Sequence, residues 1–178
     1  MRQDRDRTIL TNGIAMASRN YRTQRLYVAA DLRAGTALDL DRPQSNYLLN
    51  VMRLESGAPV LVFNGRDGEW RASLARGQRR GARLIVDSRE RPQTAAGDLA
   101  YAFAPLKAAR LDYMVQKAVE MGATSLTPVL TRHTQVTRVN LARMRANVIE
   151  AAEQCGILNV PAVEEAISLP RWLGQLSP

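Results

Sequence analysis

Cysteine is nearly missing from this sequence. Cys155 stands alone, so no internal disulfide can form, and a reducing, cytoplasmic setting is expected. Histidine is as scarce: His133 is the one imidazole, which excludes a histidine-rich metal site. Its context, TRHTQV, does not resemble a nucleophile elbow, and Cys155 has no CxxC partner. The only lysines are Lys107 and Lys117, so arginine carries almost all the positive charge. Neither a Walker loop nor a GxGxxG occurs, which weighs against a nucleotide-binding α/β protein. No apolar run approaches the ~20 residues that cross a bilayer, so no membrane partner is expected. The first 25 residues hold six arginines and no apolar core of a secretory signal. Residues 1–24 read as a disordered basic arm, or as a start codon placed too early.

What is present suits a globular chain. A hydrophobic share of 46% is too high for disorder, and 178 residues allow one domain or two small ones. The net charge of +8 is unevenly spread. Residues 1–96 carry 17 arginines against 10 acidic residues, whereas residues 97–178 carry 8 basic against 7 acidic. Guanidinium groups bind phosphate in two-pronged fashion and stack on bases, which points to RNA. A chain-wide arginine bias on a solvated surface is the alternative.

Periodicity divides the chain in two. RLYVAA, APVLVFNG, EWRASLA and ARLIVDS read as short strands, and NGRDG as a hairpin turn whose Asn-Gly and Asp-Gly pairs tolerate positive φ. Between them PQSNYLLNVMRLESG predicts a helix with Tyr47, Leu48, Val51, Met52 and Leu54 on one face and Gly57 as its stop. Many short strands with one helix suggest a small barrel over residues 25–90. RERPQTAAGD, Arg89 to Asp98, is the linker candidate. Beyond it the period changes to 3.6. LAYAFAP, SLTPVL and VPAVEEA are strands, separated by helices in KAARLDYMVQKAVEMG and NLARMRANVIEAAEQCG. Leu111, Met114, Val115 and Ala118 face inward on the first helix, and Leu141, Met144, Val148 and Ala152 on the second. Asn140 caps the second helix and Gly156 ends it; Ser168 caps a last helical turn. The class is α+β followed by α/β with a parallel sheet. Three strands leave that sheet's edge uncovered, so residues 98–178 read as a partial domain, either a fragment or one that a partner completes.

Three clusters could carry chemistry. Lys107 and Arg110 follow a strand end, where α/β folds place their ligands, with Lys117 further along the helix near Glu120. A solvated helix face is the plain alternative. Arg132 in TRHTQV also follows a strand and could meet phosphate or base; otherwise it lies in a surface loop. In EAAEQCGILNVP, Glu150 and Glu153 lie one helical turn apart beside Gln154, and an amide with a carboxylate can read a base edge. An ordinary helix end with a buried thiol is the alternative.

Taken in order, RLYV, YLLNVMRLESG and VLVFNGRDGEW resemble the N-terminal PUA-like barrel of the ribosomal RNA small subunit methyltransferase E family. VQKAVEMGATSLTPVLTRHTQV followed by EAAEQCGILNVP resembles the first half of that family's SPOUT methyltransferase domain. The match runs from about Arg25 to the end. The resemblance implies S-adenosylmethionine-dependent methylation of ring nitrogen 3 of a uracil in 16S ribosomal RNA, by a homodimer. It departs from the family at Asn46-Tyr47, where a histidine is common, and at Ile157, where arginine is common. Neither a GPEGG-type loop nor an LGPRILR-type segment, which together build the family's cofactor-binding knot, occurs before Pro178. The cofactor site is therefore expected in a missing C-terminal segment, and the chain is expected to be inactive alone. A non-catalytic RNA-binding protein that kept the barrel is the alternative. Under the resemblance Arg53 would grip RNA with the barrel, and Lys107, Arg110, Arg132 and Gln154 would contact substrate. Glu153 is the candidate base, with Lys117 or Arg132 stabilising the uracilate.

Overall fold

The computed structural model describes residues 23–77, 81–136 and 138–176. The expected arm over 1–24 lies outside them except at its end, where Gln24 already begins the first strand. The N-terminal unit is a five-stranded sheet ordered β1 (Gln24–Tyr27), β3 (Pro59–Phe63), β4 (Glu69–Arg76), β5 (Ala82–Arg91) and β2 (Ala37–Asp39). β1 runs parallel to β3, and the other pairs are antiparallel. Alternation decides its core: Val60, Val62, Ala72, Leu74, Leu84 and Val86 point to one side and pack with Leu26, Leu38 and Leu48.

The NGRDG segment is the hairpin loop between β3 and β4. Gly65 and Gly68 take φ of 82° and 88°, as a tight turn between these strands requires. Asn64 fixes it: its Oδ1 accepts from the amides of Arg66 and Asp67, and its Nδ2 donates to Ala30 O and Asp67 Oδ2.

Two expectations about this unit need correction. The helix in PQSNYLLNVMRLESG is α1 (Arg42–Asn46), capped by Asp41, and it continues as one π-helical turn over Tyr47–Val51. The amide of Met52 bonds back to Tyr47 O, five residues away, so the wider turn moves later side chains off the 3.6-residue stripe. Leu48 is fully buried, but Val51 and Tyr47 are exposed. The linker also starts later than predicted. Arg89, Glu90 and Arg91 extend β5, because register shifts at Glu69/Trp70 and Arg71/Ala72 let β4 follow the longer strand.

The second unit is a parallel sheet ordered β6 (Ala100–Phe103), β7 (Ser125–Leu130) and β8 (Ala162–Val163). β9 (Ile167–Ser168), not anticipated from sequence, pairs with the far end of β7. Helix α2 (Ala108–Glu120) joins β6 to β7, α3 (Leu141–Cys155) joins β7 to β8, and α4 (Leu169–Leu173) follows β9. The Asn140 side chain accepts from Arg143 N, and Gly156 closes α3 at φ 76°, as the sequence predicts. Val115, Val119, Leu126, Met144, Val148 and Ala152 form the core, and Phe63 enters it from the barrel.

Candidate functional site

Chain direction sorts the candidate residues. β6 and β7 run parallel, so the loops leaving Phe103 and Leu130 lie at one edge of the sheet, the edge where α/β folds bind ligands. Lys107, the N-cap of α2, and Arg132 stand there, both exposed. Thr131 and Thr134 tie the Arg132–His133 turn: Thr131 N donates to Thr134 Oγ1 at 2.8 Å. Helix α3, with 15 residues, then carries the chain about 20 Å back to the opposite edge. Glu153 and Gln154 lie at that opposite edge.

There the barrel docks, and a cleft of about 1290 Å³ opens between the two units. Gln24, Tyr47 and Arg71 line it from the barrel, and Glu150, Glu153 and Gln154 from α3. Gln154 is exposed, with Glu150 Oε1 3.4 Å from its Nε2. Glu153 is half-buried, and its Oε1 accepts from Tyr27 N at 2.8 Å. Burial pushes its carboxyl above the ordinary value, against the opposing pull of the Tyr27 amide and Arg25.

The structure does not bring Glu153 and Lys117 together. Lys117 is on α2, where it bonds both Glu120 carboxylate oxygens at 3.0 and 2.7 Å and lies over the Tyr113 ring. The Glu120 hydrogen bond holds its ammonium above the ordinary lysine value. Lys117 and Arg110 share a separate groove of about 730 Å³, walled by Leu99, Tyr101, Tyr113 and Met121. Arg53 stands apart on the barrel, at φ 53°, a left-handed position that a non-glycine residue occupies only at a cost. Arg33, Arg42, Arg53, Arg76 and Arg89 are exposed on this unit and carry no ion pair among the described residues. Among the described residues no group of three or more His, Cys, Asp or Glu could hold a metal, and no helix is long and apolar enough to cross a membrane.

Sequence reasoning passed over the residues of the joint itself, Arg25, Glu69, Arg91 and Asn159. Strict alternation along β4 puts Glu69 on the outward face with Arg71 and Ser73, and there it stands, opposite Phe63. It is buried because the α/β unit covers that end of the face, which the sequence of β4 does not reveal.

Known proteins share this arrangement. A family model described as an RNA methyltransferase PUA domain matches residues 40–87, and one described as an RNA methyltransferase domain matches residues 93–178. Ribosomal RNA small subunit methyltransferase E of Rickettsia conorii is 30% identical over 151 residues, covering 84% of this chain and 62% of that protein. Its namesake in Synechocystis is 28% identical over 158 residues, covering 86% of this chain and 51% of the relative. The chain therefore spans between half and two thirds of the length of these relatives. The crystal structure of a ribosomal RNA small subunit methyltransferase E from Neisseria gonorrhoeae, bound to S-adenosyl methionine, superposes with a TM-score of 0.78 at 25% identity, over 87% of this chain and 66% of that one. Two units in the same order, matched in sequence and superposed in structure, place the chain: it belongs to the ribosomal RNA small subunit methyltransferase E family.

Proposed function

We propose that the protein transfers a methyl group from S-adenosylmethionine to ring nitrogen 3 of a uracil in 16S ribosomal RNA, working in the cytoplasm as a homodimer. One observation carries the reading for this chain. An arginine-rich barrel with five exposed guanidinium groups that make no ion pair among the described residues is fixed to an α/β unit of the family's methyltransferase type. Phosphate contacts of that kind hold RNA in register and leave base recognition to other groups. The cleft supplies such groups in Gln154 and Glu150, and Lys107, Arg110 and Arg132 add positive charge on the α/β unit.

S-adenosylmethionine supplies the methyl group. Lys107 and Arg132, the cations at the sheet's ligand edge, suit a phosphate and not a sulfonium. The residues described here are therefore not assigned to the cofactor, and no step is routed through them to it. The uracil must lose the proton from its ring nitrogen, and a carboxylate or a nearby cation would assist. Arg132 is the cation proposed to stabilise the uracilate, and Gln154 and Glu150, at the opposite edge of the sheet, would then read a different nucleotide of the RNA.

Mass spectrometry of small-subunit RNA tests the reading. Disrupting the gene should remove the methyl group from ring nitrogen 3 of one uridine; its persistence would overturn the assignment. Salt-sensitive RNA binding with the modification intact would favour a binding protein that kept the barrel.

A further inference from the structure

Helix α3 ends against the barrel, and each side reaches into the other. Arg25 in β1 donates from Nη1 to Ala152 O at 2.6 Å and Glu153 O at 2.8 Å, and from Nη2 to Ile157 O at 3.4 Å. Ala152 O also accepts from the C-cap amide of Gly156, while a last-turn carbonyl such as Glu153 O has no partner within the helix, so this guanidinium caps α3 from the other unit. Its Nε donates to Glu69 Oε1 at 2.6 Å, and its Cζ lies 4.5 Å from the Phe63 ring centre. Arg91 completes the other half, from Nε to Glu69 Oε2 at 2.8 Å and from Nη2 to Gly156 O at 3.1 Å. The Glu69 side chain keeps 5% of its exposure. In return α3 sends Glu153 to the Tyr27 amide. A second strap lies alongside: Gln93 Nε2 donates to Asn159 Oδ1 at 2.8 Å, and Asn159 Nδ2 donates to Thr94 Oγ1 and Ala95 O.

Arg25, Glu69 and Arg91 all stand on the barrel, so rotating the units about this joint would leave their ion pairs intact. It would take three carbonyls from Arg25, that of Gly156 from Arg91, and the Tyr27 amide from Glu153. Each is a hydrogen bond to a charged group at a part-buried site, so its loss without replacement is unfavourable. A joint stitched by flexible surface pairs would carry no such penalty.

We infer that Arg25, Glu69, Arg91 and Glu153 weld the barrel to α3 at one fixed angle before RNA arrives, and are positioning residues. Their consequence for catalysis rests on the methyltransferase reading: RNA gripped by the barrel would meet the α/β unit in a preset orientation. The weld is a property of the chain by itself. On this assignment Glu153 serves the joint, and another group takes the uracil proton.

Residual dipolar couplings of backbone amides, measured on the whole chain in a dilute aligned medium, test it. In the native chain one alignment tensor should fit the amides of both sheets. Arg25→Met should require two tensors while each sheet keeps its own internal fit. Arg25→Lys, which keeps the charge but loses the fork, should do the same, and it provides the reading if the methionine variant does not fold. Two tensors in the native chain would overturn the inference. So would a single unchanged tensor in an Arg25 variant of lowered thermal stability, the signature of a merely structural role. The measurement uses neither RNA nor methyl donor, so its failure leaves the methyltransferase reading standing, and loss of that reading leaves the weld.

Discussion

Arg25 and Glu69, 44 residues apart in sequence, meet at 2.6 Å where the two units join, and Arg91 holds the second carboxylate oxygen at 2.8 Å. Burial pushes the Glu69 carboxyl up, but the hydrogen bonds from Arg91 and Arg25 outweigh it and leave the group below its ordinary 4.5. A depressed carboxyl contributes stability that is present above its unfolded value and lost as pH falls through its folded one. Removing this charge strands two guanidinium groups, of which Arg25 is itself lowered by burial.

Glu69→Gln is therefore expected to cost about 3–5 kcal/mol at neutral pH, the usual penalty for breaking a buried pair from one side. Urea denaturation measures it. The gap between variant and native chain should close well below pH 4.5, where the native carboxyl is itself protonated. A gap of equal size in acid would show that charge is not its source.

Glu153 obeys the opposite sign. Burial raises its carboxyl, so its contribution is present below the unfolded value and lost as pH rises through the folded one. At neutral pH the native chain bears the cost of an ionised, half-buried carboxylate, which Glu153→Gln avoids while keeping an oxygen for the Tyr27 amide. The variant should melt at or above the native temperature at pH 7 and lose that advantage below pH 4.5. A lower melting temperature at pH 7 would refute this. Abolished methylation at unchanged stability would return Glu153 to the role of base.

RNA binding by the barrel should fall steeply with salt, because each phosphate neutralised releases counterions. Arg53→Ala and Arg89→Ala, both at exposed arginines outside any ion pair of the described residues, should each flatten the slope of log K against log salt by about 0.7–0.9. Fluorescence anisotropy with a labelled fragment of small-subunit RNA gives the slopes. Unchanged slopes in both variants would move the RNA footprint off this surface.

Much of the fold was legible because local rules and tertiary packing agree. SLTPVL is β7 over the same six residues, and Asn140 and Gly156 bound α3 where their side-chain and backbone preferences put them. Legibility failed where one extra residue breaks a period. The π turn after Asn46 exposes Val51, and the register shifts between β4 and β5 accommodate Asp87 and Glu90 as extra residues; neither leaves a mark in composition. RER in β5 reads like linker because this exposed end of the strand is as polar as a loop. The site was harder still. EQCGILNVP supports the family resemblance, yet its backbone caps and straps the joint, which requires knowing that Arg25 and Gln93 lie opposite it.

One signal of the joint stands in the sequence, and it yields a final expectation. β3 reads PVLVF, and alternation sends Val60 and Val62 into the barrel core. Phe63 points to the other face, which in a free barrel would meet water, yet it is fully buried among Val115, Leu126 and Met144 of the α/β unit. It also stacks edge-on against Tyr27 at 5.8 Å and supports the Arg25 guanidinium. Phe63→Ala should therefore cost about 3–5 kcal/mol and also uncouple the two units. Trp70 in β4 and Trp172 in α4 report on one unit each. In variants retaining a single tryptophan, native unfolding curves should coincide, and Phe63→Ala should separate them. Val62→Ala is the control, since its side chain lies in the barrel core and its loss should leave the α/β core packed. Coincident curves in Phe63→Ala, at reduced stability, would mean that the polar weld alone holds the units as one cooperative body.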